Sequence, residues 1–166
     1  MEFLVRKASL DDANDMAYVH TITWQTSYRG LIPDWYLDSL NVEESIKKTK
    51  KKFKMRSVFR YVGVLDGKII AILVIQKSFD EDKPESGEIG ALYVLPEYQG
   101  KGYGKQLMSF AITELENRGF SNIIVWTLKD SVQSNTFYQK CGFKLEGTVK
   151  NINIINSPAV RYYMDI

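Results

Sequence analysis

The chain has 166 residues, 45% of them hydrophobic, which suits one domain with a full core. Its net charge of +2 argues against a general nucleic-acid binder, one cysteine excludes an internal disulfide, and one histidine excludes a Cys/His zinc cluster. No stretch reaches the roughly 20 apolar residues of a membrane span, and the first residues lack a signal-peptide pattern. We therefore expect a cytoplasmic protein that holds no metal.

The first half of the sequence predicts a strand, three helices and a hairpin. Ser9 and Asp12 form a capping pattern that opens the first helix. Asp66-Gly67 is typical of the tight turn of a hairpin. The predicted elements are a strand at residues 3–7, helices at 9–28, 33–40 and 42–55, and strands at 58–64 and 68–76.

In the second half, strands and helices alternate before a final pair of strands. Gly119 and Gly142 each follow a helical stretch and predict its end. The predicted elements are an acidic loop at residues 80–87, strands at 88–94 and 122–127, helices at 104–118 and 131–140, and strands at 143–149 and 159–165. This order predicts an α/β (α+β) fold in a single domain spanning residues 1–166, with a mixed, partly antiparallel central sheet flanked by helices.

A glycine-rich loop joins the strand at 88–94 to the helix that follows it. Gly100, Gly102 and Gly104 stand on alternate positions, and glycine lets the backbone turn sharply and approach a ligand closely. The free N–H groups at the start of the helix point into this loop and favour an anion. We expect the ligand to be a phosphate or pyrophosphate.

The spacing separates three kinds of phosphate loop. A Walker A loop would need glycine where Gln99 stands, and serine or threonine where Gln106 stands. A dinucleotide fingerprint would need its third glycine at Lys105 or at Leu107. The pattern that remains is Gln-x-x-Gly-x-Gly.

This pattern, Gln99-x-x-Gly102-x-Gly104, resembles the acetyl-CoA pyrophosphate loop of the GNAT N-acetyltransferase superfamily. Downstream, Phe137-Tyr138 and Gly142-Phe143 are similar to the Phe-Tyr-x-x-x-Gly-Phe signature that closes GNAT domains. Residues 24–33 resemble a subgroup of small bacterial GNAT proteins. The resemblance spans nearly the whole chain and is strongest at residues 88–107 and 131–144.

The resemblance implies a GNAT-like acyl-CoA N-acyltransferase fold and an acetyl-CoA-dependent N-acetyltransferase. The acetyl group would pass directly to a primary amine of an unidentified small molecule or peptide. We expect acetyl-CoA and the amine as partners, allow for a homodimer, and expect no nucleic acid and no membrane. Two other interpretations stay open, a catalytically silent acyl-CoA-binding regulatory module and, disfavoured by the Walker A spacing, an ATP-binding module.

The reaction needs a base for the protonated amine and an acid for the departing thiolate. The resemblance implies Glu88, eleven positions before Gln99, as the base and Tyr138 as the acid. The residues implied in cofactor binding are Leu92, Tyr93, Val94, Gln99, Gly100, Lys101, Gly102, Tyr103, Gly104, Lys105, Ser131 and Asn135. Ser131 departs from the family pattern, because many GNAT sequences have asparagine at its place.

The resemblance implies that the first two helices and their connection build the acceptor site. Its expected residues are aromatic, namely Trp24, Tyr28 and Trp35, with Tyr36 beside them. Aromatic rings can hold an aliphatic or cationic amine, and they can equally be ordinary packing. We interpret Cys141 as a small apolar filler and His20 as a core or pocket-wall residue.

Overall fold

The computed structural model describes all 166 residues and contains one seven-stranded sheet. Two single-turn 3-10 helices, at Leu10–Asp12 and Pro96–Tyr98, accompany the main elements. In chain order the main elements are β1 (Phe3–Lys7), α1 (Ala13–Ser27), α2 (Asp34–Ser39), α3 (Val42–Lys52), β2 (Val58–Leu65), β3 (Lys68–Lys77), β4 (Gly87–Val94), α4 (Tyr103–Asn117), β5 (Asn122–Leu128), α5 (Val132–Lys140), β6 (Lys144–Ile152) and β7 (Ser157–Asp165).

The predicted mixed, partly antiparallel sheet flanked by helices is confirmed. The strand order is β1-β2-β3-β4-β5-β7-β6, and only β4 and β5 run parallel. β3 is buried at successive positions from Ile70 to Leu73, which means that both of its faces are covered. α1 and α4 both pack on β3 and β4 and supply that cover. None of the helices combines the length and apolar character needed to cross a membrane.

Element bounds differ from the sequence prediction by two residues or more at three places. The first helix opens with a 3-10 turn and becomes α-helical only at Ala13, and the third helix ends at Lys52 instead of residue 55. The β6–β7 hairpin reaches further than expected, to Ile152 and back from Ser157. β6 is exposed along most of its length, so pairing with β7 holds it where no apolar alternation could signal a strand.

The core lies between the sheet and the helices α1 and α4. Its fully enclosed side chains are mainly large and aliphatic, and burying each one contributes about 1.5–3 kcal/mol. Examples with no exposed surface are Ile70, Leu73, Leu107, Leu115 and Ile123. These contacts fix the position of β4 and of the helix that follows the glycine loop.

β4 and β5 diverge after a short paired segment. They pair at three positions only, the last of which joins Ile89 to Val125. At the same point the register between β3 and β4 shifts, so that Gly90 is an extra residue and forms a β-bulge. A bulge bends its strand and increases its twist. Residues 91–94 therefore pair with β3 on one side and leave the edge that faces β5 unpaired.

Candidate active site

A cavity of about 680 Å³ occupies the space between the diverging β4 and β5. Its wall combines residues of α1, β4, the glycine loop, β5 and α5. The sequence-predicted residues that line it are Tyr28, Leu92, Tyr93, Val94, Gln99, Gly100, Gly102, Gly104, Lys105 and Tyr138. The fold thus brings residues from opposite ends of the chain to one opening.

The wall formed by β4 offers backbone groups to a ligand. Leu92, Tyr93 and Val94 all line the cavity, and this part of β4 has no strand partner on the side that faces β5. Such an edge pairs readily with an extended chain that carries amide groups. The pantetheine arm of coenzyme A has this chemistry.

The glycine loop leaves the start of α4 open to an anion. Gly100 and Gly102 have φ values of +73° and +90°, a left-handed conformation that favours glycine. Gly102 is the N-cap of α4 and no side chain caps this helix, so its first N–H groups have no side-chain partner. Lys105 adds a positive charge to the wall. Uncapped amides and the helix dipole together suit a pyrophosphate.

The Gln99 side chain is held by contacts with residues outside the loop. Its Nε2 donates to the carbonyl oxygen of Val94 at 2.8 Å, and its Oε1 accepts from Gln133 Nε2 at 2.9 Å. It also lies 3.4 Å from the Ser27 hydroxyl. One side chain therefore connects the loop to β4, to α1 and to α5.

Glu88 is a buried carboxylate beside the bulge, with 8% of its surface exposed. It does not line the cavity, but the next two residues of β4, Ile89 and Gly90, do. Gln76 Nε2 donates to Glu88 Oε2 at 2.6 Å. Burial raises the pKa of Glu88, and the nearby Asp80 raises it further, while the Gln76 hydrogen bond opposes this. A carboxylate in this setting is a stronger base than an exposed one.

Tyr138 lines the cavity from α5 and is 8% exposed. Its ring packs against Phe137, Phe143 and Tyr162 with centroid distances of 5.4, 5.8 and 6.1 Å. Burial raises the pKa of Tyr138, and the nearby Tyr93 phenol raises it further. The phenol therefore holds its proton at neutral pH and is available as a donor.

Two more phenols share this region. Burial raises the pKa of Tyr28, and its proximity to Tyr93 and Tyr138 adds to the effect. Tyr93 stacks on His20 at 5.5 Å, and burial lowers the pKa of that histidine to about 4. The α1 side of the cavity is consequently uncharged at neutral pH.

The structure does not bring the other predicted cofactor residues to the cavity wall. Ser131 caps α5 by accepting from Ser134 N. The Asn135 amide donates to three backbone carbonyls, those of Leu128, Lys129 and Ser131, and its oxygen accepts from the Tyr162 hydroxyl at 2.5 Å. Both side chains are engaged within the protein, so we assign them to the anchoring of α5.

Lys101 and Tyr103 also lie away from the cavity. Lys101 Nζ sits 5.6 Å from the centre of the Tyr98 ring, and the Tyr103 ring contacts Phe3 at 4.7 Å. Only the backbones of these two residues belong to the loop that faces the cavity.

Of the predicted acceptor residues, Tyr28 alone lines the cavity. Trp24 packs against His20 and Tyr28 behind the wall, at 5.4 and 5.1 Å. Trp35 is 66% exposed and meets only Tyr36 edge-on. The apolar pattern of the segment did not reveal these orientations, because a stripe of aromatic residues fits a pocket wall and a packing face equally well.

Apart from Tyr138, sequence reasoning missed the wall that β5 and α5 provide. The cavity is also lined by Trp126, Thr127, Gln133 and Lys140, and none of them occupies a defined position of a motif. Trp126 Nε1 donates to Asp80 at 2.9 Å, which connects this wall to the acidic loop. A parallel pairing of β4 and β5 would have indicated this wall, because ligands bind where the carboxyl ends of parallel strands separate.

Residues 31–143 match the model of the acetyltransferase (GNAT) family. The chain belongs to this family. The uncharacterized N-acetyltransferase YuaI of Bacillus subtilis is 34% identical over 137 residues, which is 81% of this chain and 76% of that protein. The spermidine N(1)-acetyltransferase of Thermoplasma acidophilum is 25% identical over 153 residues, or 89% and 92% of the two chains. The predicted enzyme class, an N-acetyltransferase, is confirmed by this membership and these relatives.

Solved structures confirm the GNAT-type fold. The PaiA N-acetyltransferase of Thermoplasma acidophilum, in complex with coenzyme A, superposes with a TM-score of 0.78 at 20% identity, covering 97% of this chain and 98% of that one. The acetyltransferase yncA of Salmonella typhimurium, with acetyl-CoA, gives 0.74 at 14% identity, with coverage of 99% and 94%.

Proposed function

We propose that this GNAT protein transfers the acetyl group of acetyl-CoA directly to a primary amine. The observation that carries the proposal is the cavity between β4 and β5. It combines an unpaired strand edge, an uncapped helix N-terminus and a protonated phenol in one opening. Neighbours of the same fold hold coenzyme A or acetyl-CoA in their crystals, which supports the same ligand here.

The cofactor would bind along two backbone surfaces. The N–H groups of residues 100–104 would hold the pyrophosphate, with Lys105 and Lys140 supplying positive charge from the wall. The pantetheine arm would lie along residues 92–94 as an added strand. A backbone N–H of the same edge would polarise the thioester carbonyl as negative charge develops on its oxygen.

Proton transfers complete the reaction. Glu88 does not line the cavity itself, but the next residue, Ile89, does. Glu88 would remove the amine proton through a water molecule. The neutral amine attacks the thioester carbon, and Tyr138 gives its proton to the thiolate of coenzyme A as it leaves. Cys141 does not line the cavity, and burial raises the pKa of its thiol, which favours direct transfer over an acetyl-cysteine intermediate.

The charged groups near the cavity indicate which class of primary amine is the acceptor. Asp80 is paired with Arg161, whereas Glu88 lies beside β5 without an ion-pair partner, and this carboxylate favours a cationic amine over an anionic one. Spermidine is the substrate named for one relative, so polyamines belong in the first panel together with amino acids and peptide N-termini.

Thiol release from acetyl-CoA, measured with this amine panel, tests the proposal directly. We expect turnover with at least one cationic amine, and a rise in melting temperature with acetyl-CoA and coenzyme A but far less with ATP or NAD. Binding without any turnover would instead support the silent acyl-CoA-binding module. The absence of a thermal shift at millimolar coenzyme A would contradict the cofactor assignment itself.

A further inference from the structure

Gln76 is the cross-strand neighbour of Glu88 and belongs to no functional motif. β3 and β4 pair the two residues directly, and the Gln76 amide donates to Glu88 Oε2 at 2.6 Å. Each residue is only 8% exposed. The second carboxylate oxygen, Oε1, has no partner in the chain and is not sealed from solvent. The amide therefore occupies one oxygen and leaves the other available.

We propose that Gln76 is a positioning residue for the general base, holding the Glu88 carboxylate so that Oε1 faces the acceptor amine or its bridging water. This inference rests on the proposed function. A neutral amide suits the task, because it fixes the carboxylate in one rotamer without the full positive charge of a lysine or arginine. Such a charge would make the carboxylate a much weaker base.

The bulge residue Gly90 provides the space for this arrangement. A Cβ atom added at Gly90 would lie 2.7 Å from Gln76 Oε1 and 3.1 Å from Nε2. The φ angle of Gly90 is not in the left-handed region, so its backbone conformation does not require glycine. A Cβ at Gly90 would therefore act on the Gln76 amide and force it to shift. The bulge thus opens the cavity and also leaves room for the amide that holds the base.

The charges around Glu88 define what the amide does. Burial and Asp80 favour the protonated carboxyl group, whereas Gln76, Lys150 and Arg161 favour the carboxylate. Asp80 is itself held by Arg161 and Trp126, so its charge stays in place when Gln76 changes. Without the Gln76 amide, fewer groups oppose the upward effect of burial and Asp80 on the pKa of Glu88. The pKa of Glu88 then rises further, and the rising limb of the pH–rate profile moves to higher pH.

The test compares the pH dependence of kcat/KM in Gln76→Met, Gly90→Ala and wild type. We expect both variants to move the rising limb upward by about one pH unit, and to reduce the rate about tenfold below that limb. The rate should recover at high pH, and the affinity of Gln76→Met for coenzyme A should stay unchanged, because Gln76 does not line the cavity. Gly63→Ala is the matched control, because its added Cβ would also contact neighbours at 2.7–2.9 Å, but away from Glu88. It should leave the limb where it is.

A double-variant cycle with Glu88→Gln separates the outcomes. In that background Gln76→Met should cause no further loss of rate, since the amide then has no carboxylate to hold. An unchanged pH profile in Gln76→Met, or an equal loss in both backgrounds, would overturn the positioning role. Wild-type turnover by Glu88→Gln would overturn the base assignment and this inference together. The proposed acetyl transfer would still stand on the wild-type turnover. If Gly90→Ala fails to fold, Gln76→Met decides the question alone.

Discussion

Burial raises the pKa of both proposed proton-transfer residues, and the consequence differs between the base and the acid. It raises the pKa of Glu88, which brings a carboxylate closer to the pH at which it works as a base. It also raises the pKa of Tyr138, which keeps the phenol protonated until a thiolate forms. Burial disfavours the charged form of each group, so it makes Glu88 a stronger base and Tyr138 a weaker acid. Transfer of the Tyr138 proton therefore depends on the same low-dielectric wall disfavouring the thiolate as well.

At the scale of single residues, Tyr138→Phe removes only the hydroxyl. The packing against Phe137, Phe143 and Tyr162 stays, so stability and coenzyme A affinity should change little. Turnover should fall by about 10²–10⁴-fold if the phenol is the acid. Steady-state thiol release measures this, with Tyr163→Phe on β7 as the control variant. Wild-type turnover in Tyr138→Phe would remove the phenol from the mechanism.

Glu88→Gln should act on deprotonation of the amine and should depend on pH. The loss of rate should be largest near neutral pH, where the acceptor is protonated, and should shrink as rising pH delivers more neutral amine. Rates from about pH 6 to pH 10 with one amine of known pKa provide the measurement. A defect that stays constant over this range would argue against Glu88 as the base.

At the scale of elements, the loop and the start of α4 form one anion site. Gly102→Ala should weaken coenzyme A binding by at least tenfold, because its φ of +90° is strained for alanine and the amides would turn. Gly119 has a φ of +91°, and a Cβ there also meets nothing within 4 Å, so Gly119→Ala carries the same strain at the other end of α4. Titration calorimetry on both variants separates the two effects. Equal weakening would show that general destabilisation is responsible.

The anchoring of α5 gives a second prediction at this scale. Asn135→Ala removes the acceptor of the buried Tyr162 hydroxyl and one of the two donors to the Leu128 carbonyl, which should cost about 1–3 kcal/mol of unfolding free energy. Urea denaturation measures the loss, and the affinity for coenzyme A should fall only slightly. Lost affinity at unchanged stability would instead favour the direct cofactor contact that the family resemblance implies.

At the scale of the whole molecule, Arg161 connects three segments that are far apart in sequence. Its buried guanidinium pairs with Asp80 and Asp82 of the acidic loop and with Glu146 on β6. These contacts hold the β3–β4 loop against the β6–β7 hairpin. They also support the β5 wall of the cavity, because Asp80 accepts from Trp126.

This cluster predicts a dependence of stability on pH. The Arg161 hydrogen bonds lower the pKa values of Asp82 and Glu146 below their ordinary 3.8 and 4.5. A lowered pKa in the folded state contributes stability at pH values above the ordinary pKa, and this is lost as pH falls through the lowered value. Arg161→Met should therefore unfold at lower urea than wild type at pH 7, and the difference should shrink below about pH 4. A difference that is constant with pH would contradict the ionic origin.

Much of this architecture is determined by short-range patterns in the sequence. Apolar alternation, the capping pattern at Ser9 and the Asp-Gly turn depend on neighbouring residues, and the structure contains every predicted helix and strand. The Gln99-x-x-Gly102-x-Gly104 spacing likewise led to the family, because a phosphate loop is built from consecutive backbone amides. The predicted bounds were wrong where pairing with a distant strand, and not a local apolar pattern, determines the strand, as in the exposed β6.

Only the tertiary structure decided which side chains meet. β4 diverges from β5 next to the bulge at Gly90, and this bulge is a feature of the register between β3 and β4. The same register places Gln76 opposite Glu88. The resemblance implied that Asn135 touches the cofactor, whereas the folded chain surrounds its amide with carbonyls and the Tyr162 hydroxyl. Sequence patterns report the face on which a residue lies. The partner across that face is set by strand register and helix packing, which involve residues distant in the chain.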